Sequence, residues 1–161
     1  MVDALDSRYF RRMDYYEDVT PGQELVIGSH TPSKEEIISF ARQWDPQPFH
    51  LDEEAGRQSV MGGLSASSCH TYAISALVYS KSVHKLKTAA MLGMHVRFPT
   101  PVRPQQELTL IETYLDKRES KSRSGFGIVT SRTCLRNPAG EDVMIMESNF
   151  LVELRGETST S

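Results

Sequence analysis

The sequence predicts an α+β fold in which one long, buried helix lies against a strongly curved antiparallel sheet. Three observations lead to it. A single strand-type segment comes first, a stretch from Gly63 to about Ser80 is small and apolar on nearly all sides, and four strand-type segments then follow in succession. With 161 residues the chain fits one domain. A domain of that size buries roughly 70% of its unfolded surface, enough for a core without disulfides or metals.

The elements follow in order. Residues 1–20 read as an irregular N-terminal arm, residues 21–155 as the single domain and residues 156–161 as a flexible tail. Thr20-Pro21-Gly22-Gln23 reads as a turn, because Pro and Gly supply the dihedrals a turn demands. In Glu24 to Thr31, Leu25 and Ile27 alternate with polar residues, the period of a half-buried strand. Ser33 reads as a helix N-cap, with Glu36 completing a capping box and Ile37, Phe40 and Ala41 forming one apolar face. That helix is expected to end near Trp44. Asp52-Glu53-Glu54-Ala55-Gly56 reads as one short helical turn capped by Asp52. The long helix, opened by Gly63, carries His70 and Thr71 as its sizeable polar groups in mid-length. The four later strands are expected at about Met91 to Phe98, Glu107 to Lys117, Arg123 to Arg136 and Glu141 to Leu154, with Asn137-Pro138-Ala139-Gly140 turning between the last two. In the second of them Thr109 and Glu112 are read as the polar positions set against Leu108, Leu110 and Ile111.

Composition narrows the function classes. Net charge is −3 and the basic residues are scattered except for Lys117 to Arg123, so no nucleic-acid partner is expected. Cys69 and Cys134 stand far apart without ligand spacing, which supports neither a disulfide framework nor a structural zinc and fits a reducing cytoplasm. No apolar run approaches the ~20 residues a membrane span needs, and Met1 to Tyr16 lacks the apolar core of a secretory signal. A soluble, cytoplasmic protein is expected.

The chemistry is concentrated in Trp44-Asp45-Pro46-Gln47-Pro48-Phe49-His50-Leu51-Asp52. Pro46 and Pro48 push the residues before them toward extended geometry, so the segment is expected to be non-helical. It sets a carboxylate and an imidazole five positions apart, and an acid beside a His both fixes the ring tautomer and stabilises its protonated form. The spacing alone leaves a second reading open, in which Asp45 caps a turn and His50 is an ordinary surface residue.

These residues carry a resemblance. The Asp, amide, Pro and His of this segment, the Gly62-Gly63-Leu64 that opens the long helix, and Arg97-Phe98-Pro99-Thr100-Pro101-Val102-Arg103-Pro104 fall in the order found in the MaoC-like dehydratases, the family of (R)-specific enoyl-CoA hydratases. The chain is similar to that family over about residues 22–153. It departs from the family pattern in having Gln47 for the usual Asn, Gly62 for a His, and Gln105-Gln106 for a Gly-Asp step.

The resemblance implies a hotdog fold and reversible addition of water to a trans-2-enoyl thioester. It implies Asp45 and His50 as the catalytic pair and a backbone N–H, at Gly63, as the donor to the thioester oxygen. A tight packing turn is the other reading of Gly62-Gly63. Gln47, Phe49, Gly62 and Thr71 are implied as substrate-facing, with His70 as the neighbouring alternative to Thr71. Arg97, Arg103, Lys121 and Arg123 are candidates for CoA phosphates, since Arg forks suit phosphate. The chemistry requires no metal or redox cofactor. The implied partner is the acyl-CoA substrate, and the implied assembly is a homodimer in which two sheets run on as one. Two alternatives remain: a hotdog thioesterase, which would carry its acid on or near the long helix, and a binding protein without activity. Gly63 to Ser80 contains no Asp or Glu.

Overall fold

The computed structural model describes residues 13–156. Within the stretch expected to be irregular, β1 (Met13–Asp14) pairs in parallel with β3 (Lys85–Leu86), and a 3-10 turn, Tyr16–Asp18, follows it. The described part of the arm thus carries regular structure, and its first twelve residues, like residues 157–161 of the tail, lie outside the described residues.

Five strands form the main sheet in the order β2-β5-β6-β7-β4, all antiparallel. They are β2 (Glu24–His30), β4 (Thr88–Arg97), β5 (Leu108–Glu119), β6 (Phe126–Arg136) and β7 (Asp142–Glu153). The β6–β7 turn forms as expected: Asn137 Oδ1 accepts from the N–H groups of Ala139 and Glu141, and Gly140 supplies a φ of 82°. The sheet wraps α4 (Ser68–Lys81), and β2 approaches it closely. Gly28 sits at the bulge in β2, where an added Cβ would lie 3.2 Å from Val78 Cγ1. Between sheet and helices Ile27, Ile37, Leu64, Ile74, Leu108, Leu110, Leu135 and Met144 form the core. Each such side chain contributes about 1.5–3 kcal/mol when fully buried.

The first helix, α1 (Lys34–Trp44), is capped as expected by Ser33, whose hydroxyl accepts from Glu36 N–H. The other half of the expected box is engaged elsewhere: the Glu36 carboxylate bridges the Nε2 atoms of His30 and His70, each at 3.0 Å. Burial, partly opposed by Glu36, lowers the pKa of His70, and its ring stacks on Phe40 with centroids 4.4 Å apart. His70 is thus tied to α1, a core histidine with a partner.

Two expectations about the long helix are corrected. It begins at Ser68, not Gly63: Ser67 is the N-cap and accepts from His70 N–H. Leu64, Ser65 and Ala66 ahead of it are buried, so this run of small and apolar residues reads as helix although it forms a loop. Nor is the helix covered all round, since Ser68, Cys69, Ala76, Leu77 and Ser80 are exposed along one side.

Candidate active site

The motif residues adopt a geometry set by their prolines. Asp45 closes α1 with φ −158° and ψ 75°, and Gln47 is extended, as X-Pro sterics require. Pro48–Leu51 then form one helical turn, α2, which corrects the non-helical expectation. Pro48 stands at its start, where proline lacks only an N–H that would be unpaired anyway. This turn swings His50 inward, leaving it 5% exposed, and Phe49 packs edge-on against its ring. Asp52 caps α3 (Glu53–Gln58) through Ala55 N–H, as expected.

His50 Nδ1 lies 2.6 Å from the carbonyl oxygen of Ser65. A carbonyl only accepts, so in the neutral ring the proton sits on Nδ1 and the lone pair on Nε2. The tautomer is fixed by Ser65, not by Asp45 as the sequence reading has it. Nε2 faces Asp45 Oδ2 at 3.8 Å. That is too long for a direct hydrogen bond and suits a single oxygen held by both groups. Both residues open onto a cavity of about 260 Å³ whose walls include Ser65, Ser68, Thr71, Phe98, Pro101 and Val102. The Phe-Pro-Thr-Pro-Val step therefore forms a wall of the same cavity as the acid–imidazole pair. Thr71 lines it too, with its hydroxyl donated to Ser67 O at 3.0 Å.

The other sequence candidates fall outside this cavity. Gln47 is exposed and serves the backbone, its N–H on Asp45 O and its carbonyl accepting from His50 N–H. Phe49 orients His50. Gly62, with φ 66°, is an exposed turn residue. Gly63 lies four residues before the N-cap of α4, so the helix dipole is not focused on it. Its N–H nevertheless meets no acceptor among the described residues, in a loop whose Met61 and Ser65 line the cavity. Arg103 is corrected more sharply: its guanidinium donates to Met61 O and to Leu64 O, the latter at 3.3 Å, and holds the glycine loop against the Pro-Val segment. Arg97 is exposed on the edge strand β4, and Lys121 and Arg123 are exposed in the β5–β6 turn.

Sequence reasoning missed two contributors. Ser65 acts through its backbone, which leaves no mark in residue type. Gly56 in α3 lets that helix lie on the glycine loop, since an added Cβ would stand 2.5 Å from Gly63 C and Leu64 N. A glycine inside a short helical segment was the available signal.

A long helix wrapped by a five-stranded antiparallel sheet defines a hotdog fold, and beside that helix an acid and a tautomer-fixed imidazole face one cavity. The MaoC-like domain model matches residues 15–134, and the chain belongs to that family. A MaoC-like dehydratase from Rhodospirillum rubrum has a crystal structure similar to it, with TM-score 0.83 and 37% identity over 89% of this chain and 99% of that one. An uncharacterised Bacillus subtilis protein, YdeM, is 33% identical over 86% of this chain and 97% of its own length. The (R)-hydratase PhaJ1 of Pseudomonas aeruginosa shares the fold, with TM-score 0.71 and 21% identity over 88% and 86% of the two chains. Among the described residues no cluster of His, Cys, Asp and Glu is arranged to hold a metal, and no helix is long and apolar enough to cross a membrane.

Proposed function

We propose that the protein is an enoyl-thioester hydratase, adding water reversibly to a trans-2-enoyl-CoA or related thioester to give the 3-hydroxyacyl thioester. The observation that carries this is the separation of Asp45 Oδ2 and His50 Nε2, two proton acceptors spaced to share one water oxygen at a cavity wall. As the water oxygen bonds to the β-carbon, one of the pair takes its proton. The α-carbon gains a proton from the same side, and the O–H and C=C π bonds are consumed. Charge that builds on the thioester oxygen is met by a backbone donor, which we assign to the Gly63 N–H, unpaired among the described residues in a loop whose Met61 and Ser65 line the cavity. Thr71 supports the substrate-facing wall. The acid required for a helix-borne thioesterase site is missing from α4, which contains no Asp or Glu. The deciding experiment is a screen of trans-2-enoyl-CoAs of different chain length, followed by loss of the conjugated thioester's absorbance.

Gly63→Val tests the oxyanion assignment. A Cβ there would lie 2.9 Å from Arg103 Nη1, the movable end of a long side chain, so the fold can accommodate it. Turnover is expected to fall more than stability, by ~10²-fold, because the branched side chain crowds the thioester oxygen away from the N–H that the residue keeps. Melting curves and kinetics measured on the same sample check this. A variant that melts early yet keeps its turnover per folded molecule would make Gly63 a packing residue.

A homodimer completes the proposal. Met91, Leu92 and Met94 are exposed on β4, an edge strand whose unpaired backbone is suited to a second copy. Leu92→Lys with Met94→Lys is expected to convert a dimer into a monomer in light scattering. A parent protein that is already monomeric and fully active would place the whole site within one chain.

A further inference from the structure

A second cavity, of about 360 Å³, lies between α4 and strands β5, β6 and β7. Its lining continues that of the first along two elements. On α4, Thr71 lines the catalytic cavity and Ser75, one turn or about 6 Å further on, lines the second. On β7, Val143 lines the first and Met146 the second. Most of this lining is apolar, as Leu110, Met91, Met146 and Phe150 illustrate.

Among its polar residues is one buried carboxylate, Glu112. Leu108, Leu110, Glu112 and Tyr114 are the buried positions of β5, so Glu112 shares the inward face and the alternation inferred from sequence is reversed there. The residue is 4% exposed. Burial pushes its carboxyl up to about 7, with the Ser131 hydroxyl only partly offsetting this and no cation contributing. Thr133 pairs directly across from it on β6, and Ser148, in register with Ser131, has a buried hydroxyl without a hydrogen-bond partner. Tyr79, on the helix side, is itself pushed up to about 12 by burial and by Glu112. An acid in such surroundings disfavours folding and a plain alkyl ligand alike. The proton chemistry at Asp45 and His50 makes no use of it.

We propose that this cavity receives the far end of the acyl group and that Glu112, with Thr133 beside it, selects chains ending in a hydroxyl. The proposal rests on the acyl-thioester reading of the site. A hydroxyl both donates and accepts, so it pairs with Glu112 in either protonation state, whereas a methyl terminus leaves the carboxyl unmatched. Lys85 also lines the cavity, which makes a terminal carboxylate the competing ligand.

Binding of unreactive, saturated thioesters separates recognition from catalysis. Hexanoyl-CoA, ω-hydroxyhexanoyl-CoA and adipoyl-CoA, with their four- and eight-carbon analogues, are titrated calorimetrically into the parent protein and into Glu112→Leu, Glu112→Gln and Thr133→Val, each checked for folding by thermal melt. The parent is expected to bind the best-fitting ω-hydroxyacyl-CoA on the order of tenfold more tightly than its alkyl counterpart. Glu112→Leu should reverse that preference, Glu112→Gln should keep most of it and Thr133→Val should weaken it. Equal binding of the two classes at every length, a preference for adipoyl-CoA, or a preference that survives Glu112→Leu and Thr133→Val overturns the proposal. If no enoyl-CoA is hydrated yet Glu112-dependent binding persists, the hydratase reading fails and the terminal-hydroxyl site stands. If crotonyl-CoA is hydrated and no preference is found, only the terminal-hydroxyl site fails.

Discussion

Asp45→Asn and His50→Ala should each lower enoyl-CoA hydration by ~10²-fold or more, the scale on which a positioned acid or base contributes. The expectation follows from the division of labour in the cavity. His50 Nδ1 is held by Ser65 O, so Nε2 is left to work with Asp45 Oδ2 across 3.8 Å. Removing either partner leaves the water held by one group, with its lone pair no longer directed. The double variant should be little worse than the worse single one, because groups acting as a unit lose their effect together. Asp45 is half-exposed at the end of α1 and its carboxyl caps nothing, so Asp45→Asn should leave the melting temperature nearly unchanged. Rates from thioester absorbance, with far-UV dichroism as the folding control, test the set. Turnover near the parent value in either single variant would take both residues out of the mechanism.

The second large effect is on stability. Glu112→Gln is expected to be more stable than the parent at pH 8 and to lose that advantage at pH 4 to 5. In the folded chain the carboxyl titrates at about 7, above its ordinary value of 4.5, because burial penalises the charged form. The folded state therefore holds this proton more tightly than the unfolded state. Its contribution is fully present below about pH 4.5 and is lost as pH rises through about 7. At 1.36 kcal/mol per pH unit the full change is roughly 3 kcal/mol. Chemical denaturation of parent and variant at both pH values isolates it, since the other titrating groups cancel in the difference. A gap that is the same at both ends would mean that Glu112 does not titrate between them.

The elements that repeat a local pattern were legible in the sequence. Ser33 and Asp52 cap where their spacing places them, the Asn137 turn closes as its residues require, and the main-sheet strands lie within a few residues of their expected spans, although their burial does not follow the expected alternation in β4 and β6. Asp45 and His50 were legible as a pair because the motif holds them close in sequence. What was not legible depends on tertiary contact. The start of α4 was placed too early because Leu64 to Ala66 are buried as a loop, and burial looks alike in loop and helix. Glu112 reads as a solvent-facing residue because charge ordinarily marks the wet side of a strand. Arg103 reads as a phosphate ligand until the loop carbonyls of Met61 and Leu64 are found beneath it.

The grip on residue 65 has a genetic consequence. Its N–H donates to Phe49 O at 3.4 Å and its carbonyl accepts from His50 Nδ1, while its own hydroxyl is buried with no partner. The atom that aims the base is therefore one that every amino acid supplies. Codon changes at position 65 that keep the side chain small leave that atom in place, so the position can drift among lineages and pass unnoticed in a scan of side-chain replacements. The information for this half of the site is carried by neighbours: the prolines that turn His50 inward, the glycine at 56 that admits the loop, and the arginine at 103 that clasps it.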